Sequence, residues 1–158
     1  MFRQSTPDDI GQAFVELALV MPIFILLLVG VAELGRLAYA SIEVSNAARA
    51  GVAYGAQNGT TASDAANIQA AATQDAPNLT SLTATATRSC SCESSTGVIT
   101  PFASCAGNVT NLTTCPSPSR IVEYVQVTTT APVNTLFHFP GIPSTVTFNG
   151  FATMRVEQ

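Results

Sequence analysis

At 158 residues the chain has room for one membrane helix and one modest folded domain, and for little else. Charged residues make up 10% of it and all six basic ones are Arg, so the Lys/Arg-rich footprint of a phosphate-binding surface is missing and nucleic acid is not an expected partner. The net charge of −4 bears on solubility and carries no functional weight.

The first eleven residues, MFRQSTPDDIG, hold one Arg and two Asp, unlike the cationic start of a secretory signal peptide, and no Ala-x-Ala boundary follows the apolar run behind them. An uncleaved anchor, or one cut before the helix, is the better reading. From Leu17 to Ala32 the chain is LALVMPIFILLLVGVA, without a charge. Those sixteen residues fall short of the roughly 20 needed to span a bilayer core, and adding Ala13, Phe14 and Val15 restores the length. The extension takes in Glu16. An ionised side chain deep in a bilayer costs a few kcal/mol, about 3 on translocon scales, so Glu16 either sits at the headgroup boundary or has a pairing role. Pro22 removes one helical hydrogen bond but is softened in a membrane, which predicts a bent helix and not a broken one.

Past the span, Leu34, Leu37, Ala38, Ser41, Val44, Ser45, Ala48 and Val52 recur at spacings of three and four, a stripe expected to pack on an exported domain. One helix from Gln12 to Gly55 would be about 66 Å long. Glu33 and Arg36 stand three apart and are expected to pair on its surface, marking the outer interface. Arg49 is expected to interact favourably with the C-terminal end of the helix dipole.

Beyond Gln57 the chain turns to Thr, Ser, Ala, Asn and Gly. Ser63 is the expected cap of a short helix over Asp64 to Thr73, ended by Pro77. Leu82 to Thr87 and Ile121 to Thr130 alternate as strands, with Ile121, Val125 and Val127 on one side. Between them Cys90 to Pro118 is a long Ser/Thr/Gly-rich excursion, of a length that needs stapling or a function. Its four cysteines, Cys90, Cys92, Cys105 and Cys115, form an even set in a domain with few large apolar residues, which predicts two disulfides in an oxidising compartment. Cys90 and Cys92 are too close to pair comfortably, so one of them is expected on Cys105 and the other on Cys115. A four-thiolate zinc site is the chemical rival, disfavoured by the spacing and by the lack of a nearby His. After Pro132, the stretch Phe139-Pro140-Gly141-Ile142-Pro143 marks a turn, and Thr145 to Glu157 alternates again. Asn149-Gly150 is read as either a hairpin turn or a bulge in one long strand.

No catalytic constellation emerges. His138 is the only His and its flanking Phe137, Phe139 and Pro140 look like packing residues. There is no G-x-S-x-G, no Gly-rich phosphate loop and no close carboxylate pair, so neither an enzyme nor a small-molecule substrate, cofactor or metal is expected. The Asn-x-Thr sites at Asn58, Asn78, Asn108 and Asn111 arise readily by chance in so Thr-rich a chain.

Gly11-Gln12-Ala13-Phe14-Val15-Glu16 ahead of an apolar helix resembles a prepilin processing site, where a membrane peptidase cuts after the Gly. The longer run through Leu17-Ala18-Leu19-Val20-Met21-Pro22, then Glu33-Leu34-Gly35-Arg36, then Ser45-Asn46-Ala47-Ala48-Arg49-Ala50-Gly51-Val52, resembles the N-terminal signature of the TadE-like family, minor pseudopilins of the tight-adherence (Tad/Flp) pilus system. Ala152-Thr153-Met154-Arg155-Val156-Glu157 is similar to the strand on which such proteins tend to end. The likeness is strong over about the first 55 residues and loose over about the last 35, and it does not reach the cysteine excursion.

The resemblance implies processing at Gly11, Gln12 and Glu16, with Gln12 as the new first residue and Glu16 paired with an N-terminal amine. It implies a membrane helix marked by Leu17, Pro22 and Ala32, and a helix interface at Glu33, Arg36 and Arg49. The implied partners are the lipid bilayer, a prepilin peptidase and other Tad pilus subunits or pseudopilins. The implied location is a bacterial inner membrane, with the N-terminus cytoplasmic and the rest outside. The expected organisation is a prepilin-like leader at 1–11 and a long helix at 12–56, embedded at about 13–32. An exported head follows at 57–158, with a disulfide-rich insertion at 88–119. The expected fold is α+β, a long, partly transmembrane helix packed on a small antiparallel sheet of about three strands. The competing reading is an uncleaved single-pass envelope protein acting as a binding module or adhesin.

Overall fold

The computed structural model describes residues 7–102, 105, 115, 118–137, 141 and 143–157. Residues 1–6 of the expected leader, His138, the Phe139-Pro140 and Ile142 positions of the expected turn, and Asn108 and Asn111 lie outside the described residues. The chain divides into two units, Met1–Ala38 and Tyr39–Gln158.

Helix α1, Pro7–Gly55, supplies nearly all of the first unit and the opening element of the second. Pro7 fits a first helical position, where a missing N–H costs no bond. The helix continues through Pro22 without a break, as expected. In the first unit its apolar residues, Phe14 through Val31, are exposed almost all round. A helix apolar on every side is a solvent-side liability unless lipid or protein surrounds it.

In the second unit the chain order is the end of α1, then α2 (Gly59–Ser63), α3 (Ala65–Asp75), β1 (Thr83–Glu93), β2 (Ile99–Phe102), β3 (Arg120–Asn134) and β4 (Thr145–Arg155). The strands form one antiparallel sheet in the order β2-β1-β3-β4. The α+β class therefore holds, with four strands where about three were expected. The extra strand, β2, lies inside the excursion. It pairs with the end of β1 in the register Cys90↔Phe102 to Glu93↔Ile99, so the disulfide-rich segment begins as sheet and not as loop. Its short Ile-Thr-Pro-Phe sequence has too few alternations to be legible as a strand.

Three local expectations are corrected. Asp64, not Ser63, caps α3, while Ser63 closes α2 with its hydroxyl donating to Thr60 O at 2.8 Å. Helix α2 went unforeseen. Asn58 caps it through a reciprocal pair, its Oδ1 accepting from Thr60 N and Thr61 N while Thr61 Oγ1 accepts from Asn58 N. At Asn149-Gly150 there is neither bulge nor hairpin, because the β3–β4 ladder runs through Thr130↔Asn149 and Thr129↔Gly150 without a skipped residue.

The buried stripe of α1 is also different from the expected one. Val44, Ala48 and Val52 are buried as predicted, but Leu34, Ala38 and Ser41 are exposed, and Ala40, Ala47, Gly51 and Gly55 are buried with them, as are Glu33 and Glu43. Small residues let the helix approach closely. A Cβ on Gly55 would come within 2.9 Å of Ile68 Cδ1 and Val125 Cγ1, and one on Gly51 within 3.1 Å of Ala72 Cβ. Around that contact Ala48, Val52, Ala62, Ile68, Ala72, Val125, Val127 and Val156 form the core, with Tyr54, Ala84, Ala86 and Ala152 packed on it.

Alternation on the strands explains which face is covered. Thr83, Thr85, Thr87 and Ser89 of β1 point outward, and Ala84 and Ala86 point to the core. Pro132 sits on β3 beyond Thr130, where pairing with β1 has already ended, so its missing N–H interrupts no ladder there. The end of the chain is tied down by Val156 N donating to Glu123 O and Glu157 N donating to Ala56 O, both at 2.9 Å.

Candidate membrane-insertion and assembly surfaces

The residues singled out from the sequence fall in both units and do not converge on one cleft. In the first unit, Gly11, Gln12 and Glu16 lie on continuous helix, and nothing stands within 4 Å of where a Gly11 side chain would project. Gln12 Nε2 donates to Glu16 Oε1 at 3.5 Å, one turn away, so this end of the helix gathers polar groups on one face ahead of the apolar run. Leu17, Pro22 and Ala32 are all exposed members of that run. Gly11–Gly55 is the one segment among the described residues long and apolar enough to cross a membrane.

Glu33 and Arg36 pair as their spacing predicts, Arg36 Nη2 donating to Glu33 Oε1 at 3.0 Å, with Glu33 largely buried. Arg49 departs from expectation. The helix ends at Gly55 as drawn from the sequence, but Arg49 stands ahead of its last turn and is exposed, away from the strongest field of the helix end.

The cysteines in the second unit pair as Cys90–Cys105 and Cys92–Cys115, with Cα separations of 5.5 and 5.6 Å and no free thiol remaining. Cys90 and Cys92 stand two apart on β1, both buried and on the same face, and their bonds reach forward into the excursion, stapling it to the sheet at two points. No cluster of three potential metal-ligating side chains occurs among the described residues.

Three polar arrangements in this unit had no sequence signal. Glu123, on β3, is 1% exposed and accepts from Arg88 Nε, while Arg88 Nη1 also reaches Cys105 O at 3.5 Å. Alternation alone would read Glu123 as an error in an apolar face. On the rim, Glu93 accepts from Arg120 at 2.7 Å and from Arg155 at 3.4 Å, joining three strands in a solvent-facing pair set of at most about 1 kcal/mol. The third unforeseen arrangement is Glu43 on α1, whose Oε1 accepts from Asn78 N at 3.4 Å and from Asn78 Nδ2 at 3.1 Å.

Asp64 gives the head a mild acid sensitivity. Its carboxylate accepts from the Asn67 backbone N–H and from Asn67 Nδ2, and these bonds hold it below the usual value of 3.8. A carboxyl lowered on folding stabilises the folded state above its unfolded value and loses that effect as pH falls through the folded one. In thermal melts, the advantage of the native protein over Asp64→Asn should therefore be full at pH 7 and shrink steadily below about pH 3.8. A pH-independent difference would assign the cap to geometry alone.

No curated protein and no solved structure matches the chain. A family model described as TadE-like protein matches residues 11–53, a span that opens on Gly11 and carries the apolar run, the Glu33–Arg36 pair and Arg49. Residues 11–53 are thus similar to the TadE-like family, and the same stretch lies within the helix that is long and apolar enough to cross a membrane.

Proposed function

We propose that the protein is a minor pseudopilin-like structural subunit that takes part in starting or regulating assembly of a Tad/Flp-type adhesion pilus, without catalytic activity of its own. The observation that carries this reading is the coincidence of the TadE-like match with the start of the processing motif, at Gly11. In this reading a prepilin peptidase cuts after Gly11, and Gln12 becomes the first residue. Glu16, one turn further on, then pairs with an N-terminal amine of its own or a neighbouring subunit. A carboxylate that is costly in a membrane thereby becomes a pairing group. The apolar run holds the subunit in the inner membrane. The two disulfides support an oxidising compartment for the head, where it meets other pilus components.

Intact-mass measurement on protein from cells possessing the peptidase tests the processing step. The expected species lacks residues 1–11; a membrane-inserted species still carrying them overturns it. Glu16→Ala should reduce pilus assembly by about tenfold or more while leaving membrane insertion near normal, as expected for loss of a charge-assisted pair. Equal loss of both would favour an uncleaved anchor.

A further inference from the structure

Between the second-unit part of α1 and the chain following α3 lies a groove of about 360 Å³ lined by Tyr39, Ile42, Glu43, Asn46, Asp75, Pro77 and Asn78. It holds two carboxylates and no cation. Glu43 is 8% exposed, and although Asn78 satisfies its Oε1, its buried Oε2 meets no hydrogen-bond donor among the described residues. A buried carboxylate oxygen without a donor carries a desolvation cost that an incoming charged donor would offset. The groove is too open, and too poor in carboxylates, for a bare metal ion. Its exposed Tyr39, Ile42 and Pro77 suit the alkyl stem and flat face of an arginine.

The chain offers such an arginine. Arg36, Arg88, Arg120 and Arg155 are each engaged with a carboxylate, whereas Arg49 is exposed and, among the described residues, is the Arg with no ion pair. It lies on the face that carries Tyr39, Ile42 and Asn46, at the three-and-four spacing of neighbours on a helix. At 3.6 residues per turn, Arg49 falls about 60° to one side of Asn46 and Glu43 about 60° to the other. Two parallel helices facing each other at Asn46 across a two-fold axis therefore set each Arg49 opposite the partner's Glu43 flank. Helical side chains lean toward the helix N-terminus, which brings Arg49 back toward the level of Asn46 and Glu43.

We propose that the Glu43–Asp75 groove is completed by Arg49 of a second copy of this chain, in a parallel two-fold pair that makes the same contact twice. Such an interface is self-complementary and closed. It rests on the reading above only in that both copies share one membrane and so point the same way.

Because the native cysteines are all paired, an introduced thiol reports on the contact. In full-length protein expressed in its membrane, Asn46→Cys should give a disulfide-linked dimer on non-reducing gels, and Thr85→Cys, on the outer face of the sheet, should not. Adding Arg49→Asp or Asp75→Arg to the Asn46→Cys protein should each lower the dimer yield about tenfold, and combining the two should restore it, as for a charge pair made across an interface. The contact is overturned by equal yields from Asn46→Cys and Thr85→Cys, by yields indifferent to either charge change, by failure of the combined exchange to restore the dimer, or by cross-linking to a different protein alone. Leader removal is scored separately by mass, so failure of processing and failure of this pairing are distinguishable.

Discussion

Replacing Arg88 by Ala should destabilise the head by about 3–5 kcal/mol, read as a lower urea midpoint with an unchanged slope. The reason lies in Glu123, which is fully buried on the central strand β3 and whose carboxylate is met by the Arg88 guanidinium reaching across from β1. Without the guanidinium, an uncompensated carboxylate is left in the protein interior, which is far worse than having no charges there. The double replacement Arg88→Met with Glu123→Leu should accordingly recover most of the loss, since paired buried charges contribute little against well-packed apolar groups of similar size. A loss from Arg88→Ala below about 1 kcal/mol would mean that the Arg88–Glu123 pair is incidental to the stability of the head.

Gly150→Val should be nearly as damaging, at about 3 kcal/mol. Its backbone is ordinary extended strand, so conformational freedom is not the issue. Space is. A Cβ at Gly150 would come within 2.5 Å of Val44 O and closer still to Thr129 Oγ1. Those two atoms are themselves joined, Thr129 donating to Val44 O at 2.7 Å in a fully buried bond between sheet and helix. Neither can withdraw without opening the layer contact. Gly35→Ala is the matching control, because nothing lies within 4 Å of its new methyl, and it should be neutral or slightly stabilising. Thermal melts of the two variants beside the native chain decide the matter; equal effects would remove the steric explanation.

Gly150 also shows why a glycine in a strand is ambiguous from sequence. A bulge, a turn and a close backbone approach all call for the same residue, and only the position of Val44, more than a hundred residues earlier in the chain, selects among them. Ser63 and Asp64 pose a similar choice on a smaller scale. Both are good caps, and the assignment depended on α2 existing, which in turn depended on Asn58 and Thr61 bonding to each other. The stripe on α1 was misplaced at its start for a related reason. A three-and-four pattern continues smoothly from Leu34 to Val52, yet burial begins on this face only near Ala40 and follows Ala and Gly more than Leu, because close packing selects for small side chains as well as apolar ones.

The sequence by itself determined the elements whose signals are local. An apolar run that reaches bilayer length once Glu16 is taken in, strands of alternating Thr and Ala or Val, an even cysteine set with two neighbours unable to pair, and a Glu and Arg three apart on a helix all act over one to a few turns or strand steps. The same local character made the TadE-like signature readable at Gly11 through Val52. Tertiary structure alone decided the fourth strand, the burial of Glu123 on Arg88, the need for Gly150 and the groove at Glu43 with its donorless oxygen. The fourth strand is too short to carry a pattern of its own, and the others are relations between residues far apart in the chain: Arg88 and Glu123 are separated by 35 positions, Thr129 and Val44 by 85. Whether a polar group is buried, and what then satisfies it, depends on which distant atoms the fold brings within hydrogen-bonding reach.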